Sequence, residues 1–177
     1  ADIGGVLPWF GRHIPSIVDA RRRFLAPDGV FIPKCDTVWA AVLDAPDLYE
    51  RSVGPWTADG FGLDMSAARR IAINTWSKAR VMHEHLLAEP QAWATIDYAL
   101  AEDADVRASL KWTVTRDGTA YGIGAGLDRT VANGARISNA PDADDAIRPA
   151  KIYSSVFFPL TNAVPVVRGD QVIAELA

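Results

Sequence analysis

The chain has little of several things on which small proteins are often built. Its 177 residues include one cysteine, Cys35. No intrachain disulfide and no cysteine-rich metal site can therefore form. Cys35 has no neighbouring motif of a nucleophile and reads as an inert thiol. No apolar run is long enough to span a bilayer, and no leading segment has the pattern of a secretory signal. A soluble, cytoplasmic protein without membrane contact is expected. Histidine is scarce too, with three in all. His83 and His85 form a His-x-His pair that strand alternation would place on one side. A third ligand is not near and Glu84 would face away, so surface or turn histidines are expected rather than a metal site. An excess of positive charge is also missing. The formal net charge is -4, which gives no electrostatic ground for nucleic acid as a partner. The arginines at 21–23 and 69–70 fall in helical patterns and read as solvated faces. Ala1 stands where an initiator methionine would, which fits either processing or an excised piece.

What is present suits a packed domain. Apolar residues make up 49% of the chain, enough to bury a core in one domain with a protruding subelement. Residues 14–43 organise the rest. Ile14, Ile17, Val18, Phe24 and Leu25 recur at helical spacing, with Asp19, Arg22 and Arg23 between them. Pro15 is tolerated in a first turn because the hydrogen it lacks would have no helical partner there. Pro27-Asp28-Gly29 then stops the helix. Val30, Phe31 and Ile32 read as a short buried run ended by Pro33, and 37–43 as the next strand. Before this stretch, Val6, Leu7, Trp9 and Phe10 lie among Gly4, Gly5, Pro8 and Gly11. That is a segment held by packing, although its glycines would also suit a ligand-facing turn.

Two short helices are expected beyond the strand, one capped by Asp47 and one by Asp64 or Ser66 and running through Ile71. Trp56, Phe61, Leu63 and Met65 are too many large apolar groups for a solvated excursion, and a partner surface is the favoured reading. The remainder reads as β. Leu110, Trp112 and Val114 alternate with polar residues. Arg116-Asp117-Gly118-Thr119 supplies a turn, and Tyr121, Ile123, Ala125 and Leu127 alternate with glycines. Together these predict a hairpin. The run Gly122-x-Gly124-x-Gly126 is not a phosphate loop, since period-two alternation continues through it and no helix follows. Its glycines are expected to leave room for aromatic side chains. Residues 133–148 read as a loop, 153–160 and 164–167 as two strands, 168–170 as a turn, and 172–176 as a closing strand. Roughly eight to ten short strands after one helix predict a mainly β fold. The expected form is a distorted β-barrel with an N-terminal helix and a short helical insertion.

The order of these features resembles the protein arginine methyltransferases. IPSIVDARRRFLAPDGVFIP at 14–33 is similar to the family's run LPSVLYARDKWLxPGGxxxP. Phe61-Gly62-Leu63-Asp64-Met65-Ser66 is similar to its YGFDMS. Val156-Phe157-Phe158 and the stretch 164–173 are similar to its late strands. The likeness extends in order over nearly the whole chain. The first block is fairly specific and the last ones are weak. The resemblance implies the carboxy-terminal domain of such an enzyme. Residues 1–26 would connect to an upstream Rossmann-type domain that binds S-adenosylmethionine, and 27–177 would form the barrel-like domain. Residues 46–70 would be an insertion like the dimerisation arm. No cofactor would be held by this chain itself. A homodimer is implied for the whole protein, with Trp56, Phe61, Leu63 and Met65 at the contact. The methyl acceptor is not identified.

The resemblance also implies where acceptor chemistry would sit. The family uses two glutamates to hold a planar guanidinium, which suits the donor fork of that group. Counting back from the matched helix puts the first on Asp2 and the second on Gly11. The family's Thr-His-Trp loop falls on Ala150, Lys151 and Ile152, with Lys151 in place of the histidine. His13 adjoins the first loop and is a candidate base if it faces the cleft. These departures put arginine as the acceptor in doubt. The first reading is an acceptor-binding and dimerising part of an S-adenosylmethionine-dependent methyltransferase, inactive alone. The alternatives are a non-catalytic interaction or scaffold module and, more weakly, an unrelated small-ligand β-barrel.

Overall fold

The computed structural model describes residues 5–57, 62–103, 105–132, 134–141, 148–149 and 154–176. Helix α1 (His13–Phe24) buries Ile14, Ile17 and Val18. It is followed by strand β1 (Cys35–Leu43), helix α2 (Pro46–Ser52), a 3-10 turn at Gly54–Trp56 and helix α3 (Ser66–Ile73). Strand β2 (Ser77–Ala79), a 3-10 turn at His83–His85, and strands β3 (Gln91–Asp97) and β4 (Ala108–Thr113) come next. The chain then forms β5 (Gly118–Thr130), β6 (Arg136–Ser138), β7 (Arg148–Pro149), β8 (Ser155–Val166) and β9 (Gln171–Leu176).

The expected barrel is not formed. The larger sheet is an open ladder in the order β2-β8-β5-β1-β3, with β6 and β7 branching from β5, while β4 and β9 make a separate two-stranded sheet. The expected hairpin fails for the same reason. β4 pairs with β9 from Ala108↔Leu176 to Thr113↔Gln171, whereas β5 pairs with β1, β6 and β8. The Asp117-Gly118 turn therefore carries the chain from one sheet to the other. Local turn chemistry sets the reversal, but it does not choose the strand's partner.

Burial on both faces explains why β5 stays in the larger sheet. Val38, Ala40 and Val42 of β1, with Ile123, Ala125 and Leu127 of β5, face one core cluster. Leu110, Trp112 and Val114 cover that cluster from the smaller sheet. Trp39, Ala41 and Leu43 face a second cluster with Leu48, Ala79, Val81 and Phe157. Strands covered on both sides lose the alternating pattern and read as apolar runs. β9 keeps the alternation because one of its faces is solvated.

The glycines of β5 do leave room for neighbours, as the sequence suggests. A Cβ at Gly126 would lie 2.5 Å from Trp39 Cζ2, and one at Gly122 would lie 2.6 Å from Phe157 Cζ. At Gly124 the neighbour is aliphatic, Leu43 Cδ1 at 2.6 Å.

The inner face of this sheet carries a buried charge pair. Asp36 and Arg129 are register partners across β1 and β5 and are both buried. Arg129 donates from Nε to Asp36 Oδ1 at 2.8 Å and from Nη2 to Oδ2 at 2.7 Å. The Tyr98 hydroxyl donates to Asp36 Oδ2 at 2.6 Å. Burial and then the Asp36 charge push the Tyr98 phenol far above its ordinary range, so it remains a donor. Burial opposes the Arg129 charge, but its bonds to Asp36 outweigh that and raise its pKa. Such bidentate geometry is what a desolvated pair requires.

Other expectations are corrected locally. Residues 153–160 and 164–167 do not make two strands, because Ser155–Val166 is continuous. Within the expected loop 133–148, β6 and β7 pair in parallel. His83 and His85 sit in a 3-10 turn rather than on a strand. Val30 and Ile32 are exposed rather than buried.

Replacing Arg129 by Met should destabilise the chain by about 3–5 kcal/mol, because it strands a buried carboxylate. Urea unfolding followed by tryptophan fluorescence reads this directly. Gly126→Val should cost about 1–3 kcal/mol through overpacking against the Asn139 amide and Trp39, measured in the same way.

Candidate functional site

The residues ahead of α1 are tied to the core by their apolar side chains. Val6 and Leu7 are buried in the first cluster. Trp9 meets Trp93 edge-on, with centroids 4.8 Å apart. A backbone bond from Phe10 N to Leu7 O, at 3.0 Å, closes a turn. Gly5 and Gly11 hold left-handed φ of 57° and 69°, a region that glycine occupies without strain. No atom lies within 4 Å of where a Gly11 Cβ would be, so this position opens to space.

His13 is the first residue of α1. It is half-buried, and its Nδ1 is enclosed without a hydrogen-bond partner among the described residues. Its Cε1 faces Gly5, at 3.7 Å from an ideal Cβ there. Asp2 and Lys151, the other candidate catalytic residues, lie outside the described residues. Of the three, only His13 is placed.

The segment from α2 to α3 is anchored at two points. Leu48 of α2 is buried in the second cluster. The Tyr49 ring meets Tyr121 at 5.5 Å, and its hydroxyl donates to Thr161 O at 3.2 Å. Arg69 of α3 donates from Nη2 to Thr161 O and, at 3.2 Å, to Asn162 Oδ1. Asp47 lies in the first turn of α2 without a side-chain cap. Asp64 accepts from Ser66 N at 2.9 Å, and that backbone bond holds its carboxyl below the usual range. Between the anchors, Trp56 and Leu63 are exposed, as is Ile71. Met65 is half-buried, and Phe61 lies outside the described residues.

The glycine run offers no room to a nucleotide. It lies inside β5, hydrogen-bonded on one side to β1 and on the other to β8. The space above its Cα atoms belongs to Phe157, Leu43 and Trp39. The glycine run is thus a packed strand and not a phosphate-binding loop. An open cleft of about 740 Å³ lies at the other end of β1, with Asp44, Asp47, Glu84, Glu89 and His85 among its lining. Its arginine, Arg116, is already bonded to Asp44 Oδ2 at 3.0 Å and to the carbonyls of Glu84 and Leu86. No group of three or more residues suited to hold a metal ion occurs among the described residues. Burial, then the nearby charges of Asp97 and Asp36, push the Cys35 thiol up, in keeping with an unreactive cysteine.

Sequence reasoning missed two polar features. One is the buried set of Asp36, Arg129 and Tyr98. Its signal was available, since Asp36 shares the parity of Val38, Ala40 and Val42, and Arg129 that of Ala125 and Leu127. The other is Arg21. It is not a solvated residue, because it donates to the carbonyls of Tyr98 and Ala101 and pairs with Glu102.

Comparison with known proteins bears on this geometry. No family model matches the chain. A probable protein arginine N-methyltransferase 6 of Arabidopsis thaliana is 33% identical over 97 residues, which cover 52% of this chain and 22% of that protein. An arginine N(omega)-methyltransferase of Streptomyces achromogenes subsp. streptozoticus is 23% identical over 169 residues, 92% of this chain and 44% of that protein. Among solved structures, the Trypanosoma brucei PRMT1 enzyme-prozyme heterotetrameric complex with AdoHcy matches with a TM-score of 0.72 at 16% identity. It covers 92% of this chain and 53% of that one. Arabidopsis thaliana protein arginine methyltransferase 10 matches with a TM-score of 0.74 at 16% identity, covering 97% of this chain and 57% of that one. The chain thus spans about half or less of the length of the relatives it matches. No helix among the described residues is long and apolar enough to cross a membrane. In sequence and in fold, the chain is related to the protein arginine methyltransferases, and it corresponds to a part of their architecture without the Rossmann-type fold.

Proposed function

We propose that the chain is the acceptor-side and dimerising part of an S-adenosylmethionine-dependent methyltransferase, incapable of methyl transfer by itself. The observation that carries this reading is a group of large apolar side chains exposed among the described residues. Phe24 is 72% exposed, Val30 74% and Leu100 75%. These positions belong to one assembly. Arg21 ties α1 to the carbonyls of Tyr98 and Ala101, and the Phe31 ring lies against Tyr98. A patch of this kind marks an interaction surface. In this reading its cover is an upstream Rossmann-type domain of the same protein, which holds the cofactor. Residues 1–26 connect to that domain, 27–177 form the acceptor-side domain, and 46–70 are an arm that reaches a second subunit through Trp56, Phe61, Leu63 and Met65.

On the acceptor side, Asp2 and Lys151 stand at positions where the family resemblance expects a glutamate and a histidine, and Gly11 where it expects a second glutamate. The loops are degenerate in this sense. In this reading His13, at the head of α1, is the candidate base toward the acceptor. A second reading, a scaffold that keeps the surfaces and has lost the chemistry, draws on the open Gly11.

Calorimetric titration of S-adenosylhomocysteine tests the proposal. Binding is expected to the product of the whole gene and not to this chain. Absence of binding to both would favour the scaffold, and tight binding to this chain alone would overturn the proposal.

A further inference from the structure

Strand β8 does not pair evenly along β5. Ala120 pairs with Val164 and Gly122 with Pro159, so residues 160–163 stand opposite Tyr121 alone. A bulge of this kind takes backbone groups out of the ladder. The Thr161 carbonyl freed in this way accepts twice. One bond comes from the Tyr49 hydroxyl of α2, at 3.2 Å, and the other from Arg69 Nη2 of α3. Asn162 Oδ1 accepts from the same Arg69 nitrogen at 3.2 Å. The Tyr49 ring packs against Tyr121, the residue the bulge faces.

α3 has little apolar hold on the sheet. It spans 8 residues and buries none of them, and a helix of that length does not persist without tertiary contacts. Its half-buried positions, Ala68, Arg69, Ala72 and Ile73, recur at helical spacing and mark the face turned to the protein. Ala68 and Ala72 have little side-chain area to bury. Arg70 and Ile71, on the other face, are exposed. Arg69, on the inward face with two acceptors in reach, supplies the hold that its alanine neighbours lack.

We propose that the β8 bulge is a latch for α2 and α3, and that Arg69 is the positioning residue that holds α3 against the sheet. A hydrogen bond from a charged donor is stronger than a neutral one, and the planar guanidinium presents its hydrogens in a fixed fork. Tyr49 and Arg69 meet at one carbonyl, so the two helices are held in one relation to each other. The latch also sets how the segment 46–70 is presented to a second subunit. That consequence rests on the proposed reading of the segment as an arm; the latch itself does not.

Hydrogen exchange at the α3 amides of this chain tests the latch. Arg69→Met removes the donors and keeps a residue of similar helix propensity. It should quicken exchange at Arg70, Ile71 and Ala72 by about tenfold or more, the loss of a charged hydrogen bond, and leave the amides of β1 and β5 as they are. Arg69→Lys, which keeps a cationic donor, should fall between the two. Unchanged exchange in α3, or an equal rise in β1 and β5, would overturn the latch. In the product of the whole gene, Arg69→Met should raise the dimer dissociation constant about threefold or more, because both subunits must present the segment. Sedimentation equilibrium reads this. Quickened exchange with undiminished association would leave the latch standing and remove the reading of 46–70 as an arm. Unchanged exchange would remove the latch and leave that reading in place.

Discussion

The charge pair between Asp36 and Arg129 constrains much of what surrounds it. The two residues face each other across β1 and β5, and Tyr98 brings in the chain leaving β3. Moving either strand by one residue would turn one charge into the opposite core and leave the other without its partner. Register is thus fixed by electrostatics as well as by apolar parity. Tyr98 also packs with Ile14, Ile17 and Val18. The pair therefore reaches α1 through one side chain and sets where the helix, and the His13 at its head, sit relative to the sheet.

An open sheet covered on both faces has consequences for function. The smaller β4–β9 sheet closes over one face, and α2 packs on the other. Large apolar side chains are exposed at the periphery: at the end around Val30, in the segment between α2 and α3, and at Phe10 near the β2 edge. The first two are held by polar anchors to a buried framework. Arg21 serves the first of them and Arg69 the second. Two arginines that look solvated in a helical pattern are instead the ties between protruding elements and the sheet.

Much of the element order was legible in the sequence. The spacing of Ile14, Ile17 and Val18 marked α1, and the alternation of Leu110, Trp112 and Val114 marked β4. The close approach of Trp39 and Phe157 to the β5 glycines followed from their period. Strand partnership was not legible, because Asp117-Gly118 has the chemistry of a hairpin turn while the partners of β4 lie some 60 residues onward. Sheet closure failed with it, since a barrel requires a return ladder that β4 does not supply. Val30, Phe31 and Ile32 were legible as apolar and not as exposed, because burial depends on what lies against them. Of the candidate catalytic residues, His13 alone falls among the described residues, while Trp9 packs against Trp93 as its apolar setting suggests. The buried polar framework was overlooked, although the parity of Asp36 and Arg129 contained it.

The central claim is that the end around Val30 is an interface within a larger protein. Hydrogen exchange at the amides of Val30 and Phe31, compared between this chain and the product of the whole gene, tests it most directly. The account predicts exchange slowed by about 100-fold or more in the longer protein, because covered backbone exchanges only through opening. Equal exchange in the two would show that this end faces solvent in both, and would contradict the account.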